Sequence, residues 1–515
     1  MSVNGAYFLL FLLISAVFYY AAPKKIRWFV LLCASVTFYL LNGIKAGLYL
    51  LATALFTYLA SLLLGKKPSV ADGEDPASVK KRDKRRKRAI LAPALIINFS
   101  VLGVLKYGGF FVTTVNTLIG RTAIPLPSFI LPLGISFYIL QTSAYLIDTA
   151  KGKYPPEKNP LNYLLVVCWF PQMVQGPINR FDLLSGQLYA GSPLDWENIR
   201  TGLLRMIFGI LKKAAVADAL APFVADVYSN YQSRSGGVIL LGAALYCLQL
   251  YCDFSGGIDL LCGASQLFGI KMSENFRQPY FSTSLADFWR RWHISLGEWM
   301  KDYLFYPIAL SKRFAKITKF AKKHMSPGSA KRVTPCIATF IVFLAVGIWQ
   351  GPGWQNIAYG IWNGTLMSLG LIWAPVGARI RKRLNGRTAA VPLLIWGIIR
   401  TNVIVVIGRY FSNSSSLTQA FTMLGRTFSF APSGDPKYTL AAYFDTFMTV
   451  RLAVACGLLI FISALKEKGI DPIESFCRKK WYVQFAVLSV CLVIIVIGIY
   501  ANSNYVPISY VYENV

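Results

Sequence analysis

Long apolar runs separated by short polar segments extend along the whole chain. Many of these runs hold roughly 15–25 residues, and about 20 apolar residues cross a bilayer as a helix. The predicted helices are Ala6–Tyr20, Trp28–Leu41, Gly47–Leu64, Ile90–Leu105, Leu131–Ile147, Leu161–Val174, Gly202–Val224, Gly237–Tyr251, Leu260–Phe268, Pro335–Gln350, Ile357–Ala374, Val391–Val406, Ala441–Leu465 and Trp481–Tyr500. This pattern predicts an all-α, polytopic membrane helical bundle of roughly 11–13 spans. We predict that it forms one membrane-embedded domain over residues 1–515.

Some apolar runs are short or interrupted. The segment Phe110–Ile119 is shorter than a normal span, which favours a re-entrant or interfacial piece. The sequence FPQMVQGPINR, at Phe170–Arg180, breaks another run with two prolines and a glycine, as expected for a cavity wall or a simple kink. The sequence DFSGGID separates two predicted helices, so Asp253 and Asp259 are expected at a helix end or in a solvated loop. The segment Ser412–Tyr438 is polar and is predicted to be a loop.

Charge adds an orientation to this picture. The chain has 53 basic and 23 acidic side chains, a net charge of +30, and the basic ones collect between apolar runs. An excess of Lys and Arg marks cytoplasmic loops, so residues 65–88 and 311–333 are predicted as basic cytoplasmic loops and the N-terminus as outside. Lys212 and Lys213, inside an apolar run, are expected to snorkel to an interface. The alternative, a nucleic-acid patch at KKRDKRRKR, fits poorly between membrane spans. The predicted partner is the lipid bilayer, with no nucleic acid.

Cysteine and histidine usage argues against a metal site. The chain has nine cysteines, no C-x-x-C pair and only two histidines. Zinc sites need clustered ligands of these types. We therefore predict no metal site and no bound cofactor.

One stretch, Gln278–Leu310, concentrates polar chemistry among apolar neighbours. Read as a helix, it places Trp289, His293, Leu296 and Met300 on one face. Ionisable residues at membrane depth are expensive and point to function. His293 has the chemistry of a general base, although a structural histidine is the alternative.

The neighbours of this histidine suggest a ligand. Arg290 and Arg291 could hold the phosphates of a large acyl donor such as coenzyme A, or simply contact lipid headgroups. Trp289 and Trp292 are predicted to line the same substrate-binding surface.

Several motifs together resemble a known family. The run DFWRRWHISLGEWMKDYLFYPI resembles the signature of the membrane-bound O-acyltransferases, in particular the bacterial alginate O-acetylation proteins and D-alanyl-lipoteichoic acid transferases. Similar motifs are LPLGISFYILQTSAYLID, FPQMVQGPINR, YCDFSGGIDL and GIWQGPGWQNIAYGIWNG, in the family's order. The resemblance covers most of the chain.

The resemblance implies acyl transfer across a bacterial cell membrane through a tunnel in the bundle. It implies a cytoplasmic thioester donor, acyl-CoA or an acyl carrier protein, and a hydroxyl acceptor on an extracytoplasmic polysaccharide or teichoic-acid-like wall polymer. It also implies an extracytoplasmic SGNH-type partner protein.

The chain departs from the family pattern at two positions. Gln350 and Asn363 stand where relatives commonly carry histidines, and an amide cannot act as a base near neutral pH. Three hypotheses stay open. His293 is the base, with Asn363 assisting, Gln350 binding substrate and Asp253 or Asp259 orienting the imidazole. Alternatively, another group activates the acceptor, or the protein is a non-catalytic scaffold or acyl-passage protein of the same pathway.

Overall fold

The structure, a computed structural model, describes residues 6–68, 72, 74–129, 131–383, 387–429 and 443–500. These residues form α-helices and short turns, with one isolated antiparallel bridge between Phe276 and Trp292. Six of the described helices are long and apolar enough to cross a membrane. Two shorter apolar helices begin at Tyr7 and Trp481. The prediction of an all-α polytopic membrane protein is confirmed, whereas the count of 11–13 spans and the tunnel stay predictions.

The described residues divide into two compact units. The first comprises residues within 1–206 and 261–273, and the second comprises residues within 207–260 and 274–508. The single domain over residues 1–515 stays a prediction, and its ends lie outside the described residues.

Nine α-helices lie among the described residues between 6 and 211, the first two of which match the predicted helices Ala6–Tyr20 and Trp28–Leu41. They are α1 (Ala6–Ala21), α2 (Arg27–Leu41), α3 (Ile44–Gly65), α4 (Pro76–Ile119), α5 (Ile135–Lys151), α6 (Pro160–Cys168), α7 (Phe170–Met173), α8 (Phe181–Ala190) and α9 (Trp196–Leu211). The predicted break in the run that begins at Leu161 is confirmed: α6 ends before Trp169, and Gln172 and Asn179 follow in a buried, interrupted segment.

The remaining helices begin after a π-helical turn at Lys212–Ala217. They are α10 (Asp218–Ser229), α11 (Gly236–Gln266), α12 (Leu285–Arg291), α13 (Ile294–Met300), α14 (Tyr306–Ala309), α15 (Lys312–His324), α16 (Pro327–Gln350), α17 (Trp354–Arg383), α18 (Arg387–Asn413), α19 (Leu417–Thr427), α20 (Thr446–Glu467), α21 (Pro472–Cys477) and α22 (Trp481–Tyr500). The predicted start of a helix at Ala441 and the part of the Ser412–Tyr438 loop beyond residue 429 lie outside the described residues. The described part of that loop contains α19, so the loop prediction is wrong there.

The two basic segments are largely helical, so their prediction as loops is wrong. The helix α4 begins at Pro76, where the Asp75 side chain accepts hydrogen bonds from the N–H groups of Ala77 and Ser78. Lys and Arg are good helix formers, so the basic run 80–88 continues the helix without a break. The helix α4 also continues through Phe110–Ile119, so this segment is not a separate re-entrant or interfacial piece. Residues 311–333 form α15 and the start of α16.

The DFSGGID segment does not break a helix, contrary to the prediction. The helix α11 is continuous, and Gly256 lies where α11 packs against the end of α9. A Cβ on Gly209 would lie 2.5 Å from the Gly256 carbonyl oxygen, so only glycine permits this approach. The glycines therefore bring two helices together instead of ending one.

This close approach explains the lysines that were expected to snorkel. Lys212 donates to Asp259 at 2.5 Å, and Lys213 donates to Asp253 at 2.6 Å, all four side chains being buried. Lys213 also binds Asp218 at 2.8 Å. The snorkelling prediction is wrong because carboxylates of the same unit neutralise both lysines. Asp253 and Asp259 accordingly lie neither at a helix end nor in a solvated loop.

Candidate active site around His293

His293 lies between two helices rather than within one. The helix α12 ends at Arg291, α13 begins at Ile294, and His293 has a φ of +49°. The single helical face that was predicted for Trp289, His293, Leu296 and Met300 is therefore wrong.

Two backbone hydrogen bonds to a neighbouring segment of the chain interrupt the helix at this point. The Arg277 N–H donates to the Arg291 carbonyl at 2.9 Å, and the Ile294 N–H donates to the Asn275 carbonyl at 3.0 Å. These bonds replace helical hydrogen bonds at the break. A left-handed backbone is uncommon at a residue other than glycine, although histidine adopts it more readily than most, and such positions occur often at functional sites.

Asn275 fixes which imidazole nitrogen carries the proton. The Asn275 Oδ1 atom accepts from the Ser295 backbone N–H at 3.1 Å and from the Ser295 hydroxyl at 2.9 Å. Because a backbone N–H can only donate, that Asn275 atom is the oxygen. His293 Nδ1 lies 3.2 Å from the same oxygen, so Nδ1 is protonated and donates. The lone pair of the neutral imidazole is therefore on Nε2, the nitrogen that a general base needs.

Aromatic side chains enclose the imidazole. The ring of His293 lies 4.9 Å from that of Phe254 and 5.7 Å from that of Trp349. Burial lowers the pKa of His293 to about 3, since the imidazolium form would lose its hydration. The histidine is therefore neutral at physiological pH and has a lone pair that can accept a proton, although its low pKa makes it a weak base in this structure.

The paired helices α16 and α17 bring the second predicted motif to this site. Gly347 and Gly360 let the two backbones touch: a Cβ on Gly347 would lie 2.7 Å from the Gly360 Cα. Trp349, on α16, reaches the His293 ring, and Gln350 follows it at the end of the helix. The hairpin thus places Gln350 one residue from a direct neighbour of His293.

Asn363 is buried on α17 and contacts the tryptophan of the central stretch. Its Oδ1 accepts from Trp289 Nε1 at 3.2 Å, and its Nδ2 donates to the Tyr359 carbonyl at 2.9 Å. The structure therefore joins Trp289 to Asn363, two predicted site residues that are 74 positions apart. Their roles in catalysis and substrate binding stay predictions.

The two arginines differ in how they are held. Arg290 has a side chain that is 72% exposed and one ion pair, with Asp287 at 3.1 Å. Arg291 is held on two sides, by Asp287 at 3.2 Å and by Glu467. The exposed Arg290 side chain is therefore available to bind a phosphate, whereas Arg291 mainly forms ion pairs that connect α12 to α20. Trp292 is buried and stacks on Phe288 with ring centroids 5.6 Å apart.

Sequence reasoning missed Asn275 and assigned the orienting role to aspartates. Asp253 and Asp259 bind buried lysines, as described above, while Asn275 Oδ1 accepts the hydrogen bond that His293 Nδ1 donates. Nothing in SENFRQPY, the sequence around Asn275, distinguishes it from an ordinary loop asparagine. Among the described residues, no group of three or more His, Cys, Asp or Glu side chains could hold a metal ion.

Comparison with known proteins places these residues in a family. The sequence model of MBOAT, the membrane-bound O-acyltransferase family, matches residues 148–322, which include His293. The chain is 30% identical to the probable alginate O-acetylase AlgI of Pseudomonas syringae over 430 residues, 83% of this chain and 75% of that protein. It is 32% identical to the peptidoglycan O-acetyltransferase of Helicobacter pylori over 368 residues, 66% of this chain and 63% of that protein.

A shorter similarity extends to a third protein. The teichoic acid D-alanyltransferase of Bacillus subtilis is 30% identical over 242 residues, 46% of this chain and 58% of that protein. All three relatives carry the names of acyl-transferring enzymes. The chain therefore belongs to the membrane-bound O-acyltransferase family and is a multi-pass membrane O-acyltransferase.

Proposed function

We propose that this protein moves an acyl group from a cytoplasmic thioester, acyl-CoA or an acyl carrier protein, to a hydroxyl of an extracytoplasmic polysaccharide or wall polymer. The observation that carries the proposal is the neutral, buried His293, whose protonated Nδ1 is held by Asn275. The named activities of the three relatives support a polymer acceptor. The bilayer in question is a bacterial cell membrane, with the N-terminus outside and an SGNH-type protein assisting at the outer face.

The proposed chemistry needs one base and one set of oxyanion donors. The acceptor hydroxyl gives its proton to His293 Nε2 while its oxygen bonds to the acyl carbon. The tetrahedral intermediate then collapses, the carbon–sulfur bond breaks, and the thiolate takes the proton from the imidazolium. Asn363 cannot act as the base. In this proposal its amide, which is hydrogen-bonded to the Trp289 indole, helps to position the substrate. Arg290 is available for the phosphates of the donor.

The test is transfer from [¹⁴C]acetyl-CoA to endogenous polymer in membranes that contain the parent or a variant. We expect His293→Gln, which removes the base and keeps a polar side chain, to lower the rate by about 10²–10⁴-fold. The matched control is His324→Gln, because His324 is exposed at the end of α15. Full transfer by His293→Gln contradicts a base role for His293.

A second variant decides between an active and a degenerate enzyme. Asn363→His introduces the histidine that the family resemblance leads us to expect at this position. If the parent is silent and Asn363→His transfers acetate, the protein has lost the activity and the scaffold hypothesis is favoured. If the parent is active and Asn363→His gains nothing, His293 suffices.

A further inference from the structure

Arg409 is a buried cation without a carboxylate partner in the described part of the chain. It lies on α18, is 2% exposed, and makes none of the ion pairs found among the described residues. Other buried cations of the same unit do have a carboxylate partner: ion pairs are formed by Lys212, Lys213 and Arg234. A buried charge is strongly unfavourable unless something compensates it.

The guanidinium is only partly used by the protein. Its Nη1 donates to the Tyr359 hydroxyl at 3.4 Å, a long hydrogen bond, while Nε and Nη2 have no hydrogen-bond partner among the described residues. Its central carbon lies 5.1 Å from the Trp292 ring and 6.0 Å from the Tyr359 ring. Its other electrostatic neighbours are the Cys247 thiol, which lies within reach of a weak hydrogen bond from the guanidinium, and the phenols of Tyr280 and Tyr246. Aromatic faces attract a cation, but they leave its N–H donors available.

The position of Arg409 links the two halves of the candidate site. Trp292, over which the guanidinium lies, directly precedes His293. Tyr359, which receives its hydrogen bond, accepts from Asn363 through its backbone carbonyl. Arg409 therefore shares a neighbour with each half of the candidate site: Trp292, which adjoins His293 in the chain, and Tyr359, which is hydrogen-bonded to Asn363.

We propose that Arg409 is an anion-binding site that holds an anionic oxygen of the substrate beside His293 and Asn363. The identity of the substrate rests on the proposed function, but the binding site does not. The planar fork of arginine suits a carboxylate or phosphate, which the acceptor polymer would supply. The same chemistry suits the oxyanion that forms when the acceptor oxygen adds to the acyl carbon and the carbonyl electron pair moves to oxygen. Collapse of that intermediate restores the carbonyl and expels the thiolate.

The first test measures binding without turnover. Saturation-transfer NMR is recorded on the full chain in lipid nanodiscs with acetate, and with acetamide as the uncharged comparison. We expect acetate to receive magnetisation from the parent, the signal to fall at least fivefold in Arg409→Gln, and acetamide to stay weak throughout. The matched control is Arg400→Gln on the same helix, because Arg400 is exposed and donates to the Thr283 carbonyl. An acetate signal in Arg409→Gln equal to that of the parent overturns the proposal.

A conservative variant guards against misfolding. If Arg409→Gln elutes as an aggregate, Arg409→Lys keeps the charge without the fork geometry. We expect it to bind acetate at least threefold more weakly than the parent, and unchanged binding overturns the proposal.

The second test identifies the source of the anion. Transfer from [¹⁴C]acetyl-CoA is compared for an acidic and an uncharged oligosaccharide acceptor. If Arg409 binds the oxyanion, Arg409→Gln lowers kcat by about 10²–10³-fold with both acceptors. If it binds the acceptor's own acidic group, KM rises with the acidic acceptor only. Unchanged kcat and KM for both acceptors contradict a role in the reaction. If the parent itself transfers nothing, the proposed function fails, while the NMR measurement still decides the anion site.

Discussion

A buried neutral histidine makes the stability of this protein depend on pH. The pKa of His293 is about 3 in the folded state, because burial disfavours the charged form, and about 6.5 in an unfolded chain. Above pH 6.5 both states are neutral and the residue has no effect. As the pH falls from 6.5 towards 3, the unfolded state alone gains a proton, so stability falls by at most about 1.4 kcal/mol per pH unit.

This argument predicts a difference between two histidine variants. Between pH 7.5 and 4.5, the parent and His324→Gln should both lose stability, whereas His293→Gln should lose about 3 kcal/mol less. The measurement is unfolding in nanodiscs across this pH range. Parallel curves for the parent and His293→Gln contradict the burial of a neutral imidazole.

Asn275 positions the imidazole and does not itself react. Three donors point at its Oδ1: His293 Nδ1, the Ser295 N–H and the Ser295 hydroxyl. We expect Asn275→Ala to destabilise the protein by about 1–3 kcal/mol, because buried donors lose their acceptor. It should also lower kcat of acyl transfer more than it raises KM, since the wrong tautomer becomes accessible. An unchanged kcat with lower stability assigns Asn275 a purely structural role.

At the scale of elements, buried ion pairs connect neighbouring helices in addition to their hydrophobic contacts. Lys213, at the π-helical turn between α9 and α10, joins Asp218 and Asp253, so that the turn is held to the middle of α11. Removing one partner of a buried ion pair leaves an uncompensated charge. We therefore expect Lys213→Met to cost about 3–5 kcal/mol of stability. Thermal unfolding in nanodiscs measures it, with Lys316→Met on the exposed face of α15 as the control. A loss no larger than that of the control contradicts the structural role of the pair.

At the scale of the whole molecule, charge predicts how the chain is oriented in its membrane. The basic runs that begin α4 and form α15 should face the cytoplasm, and the turn between α2 and α3 should face outwards. Cysteines introduced by Ala77→Cys and Met325→Cys should react with a membrane-impermeant maleimide only after cells are opened. A cysteine introduced by Lys45→Cys should react in intact cells, with the parent as the blank for native cysteines. The reverse pattern contradicts the predicted orientation.

The sequence correctly predicted an all-α membrane protein and a break in the run at Phe170–Arg180, whereas the role of His293 stays a prediction. The length of an apolar run determines whether a helix can span a bilayer, and the Lys/Arg bias of the flanking segments determines its orientation, so both can be inferred from local sequence. Local reasoning placed several boundaries wrongly, as in α4 and α11, because a glycine pair or a basic run has no fixed meaning without its neighbours.

The partner of each polar group depends on the tertiary structure. The imidazole of His293 meets Asn275, Lys213 meets Asp253, and Trp289 meets Asn363, contacts separated by 18, 40 and 74 positions. No periodicity along the chain encodes such pairs. The same holds for the unpaired fork of Arg409, whose sequence neighbours are ordinary for a membrane helix. Its chemistry depends on which side chains the fold places around it: two aromatic rings, a thiol and no carboxylate among the described residues.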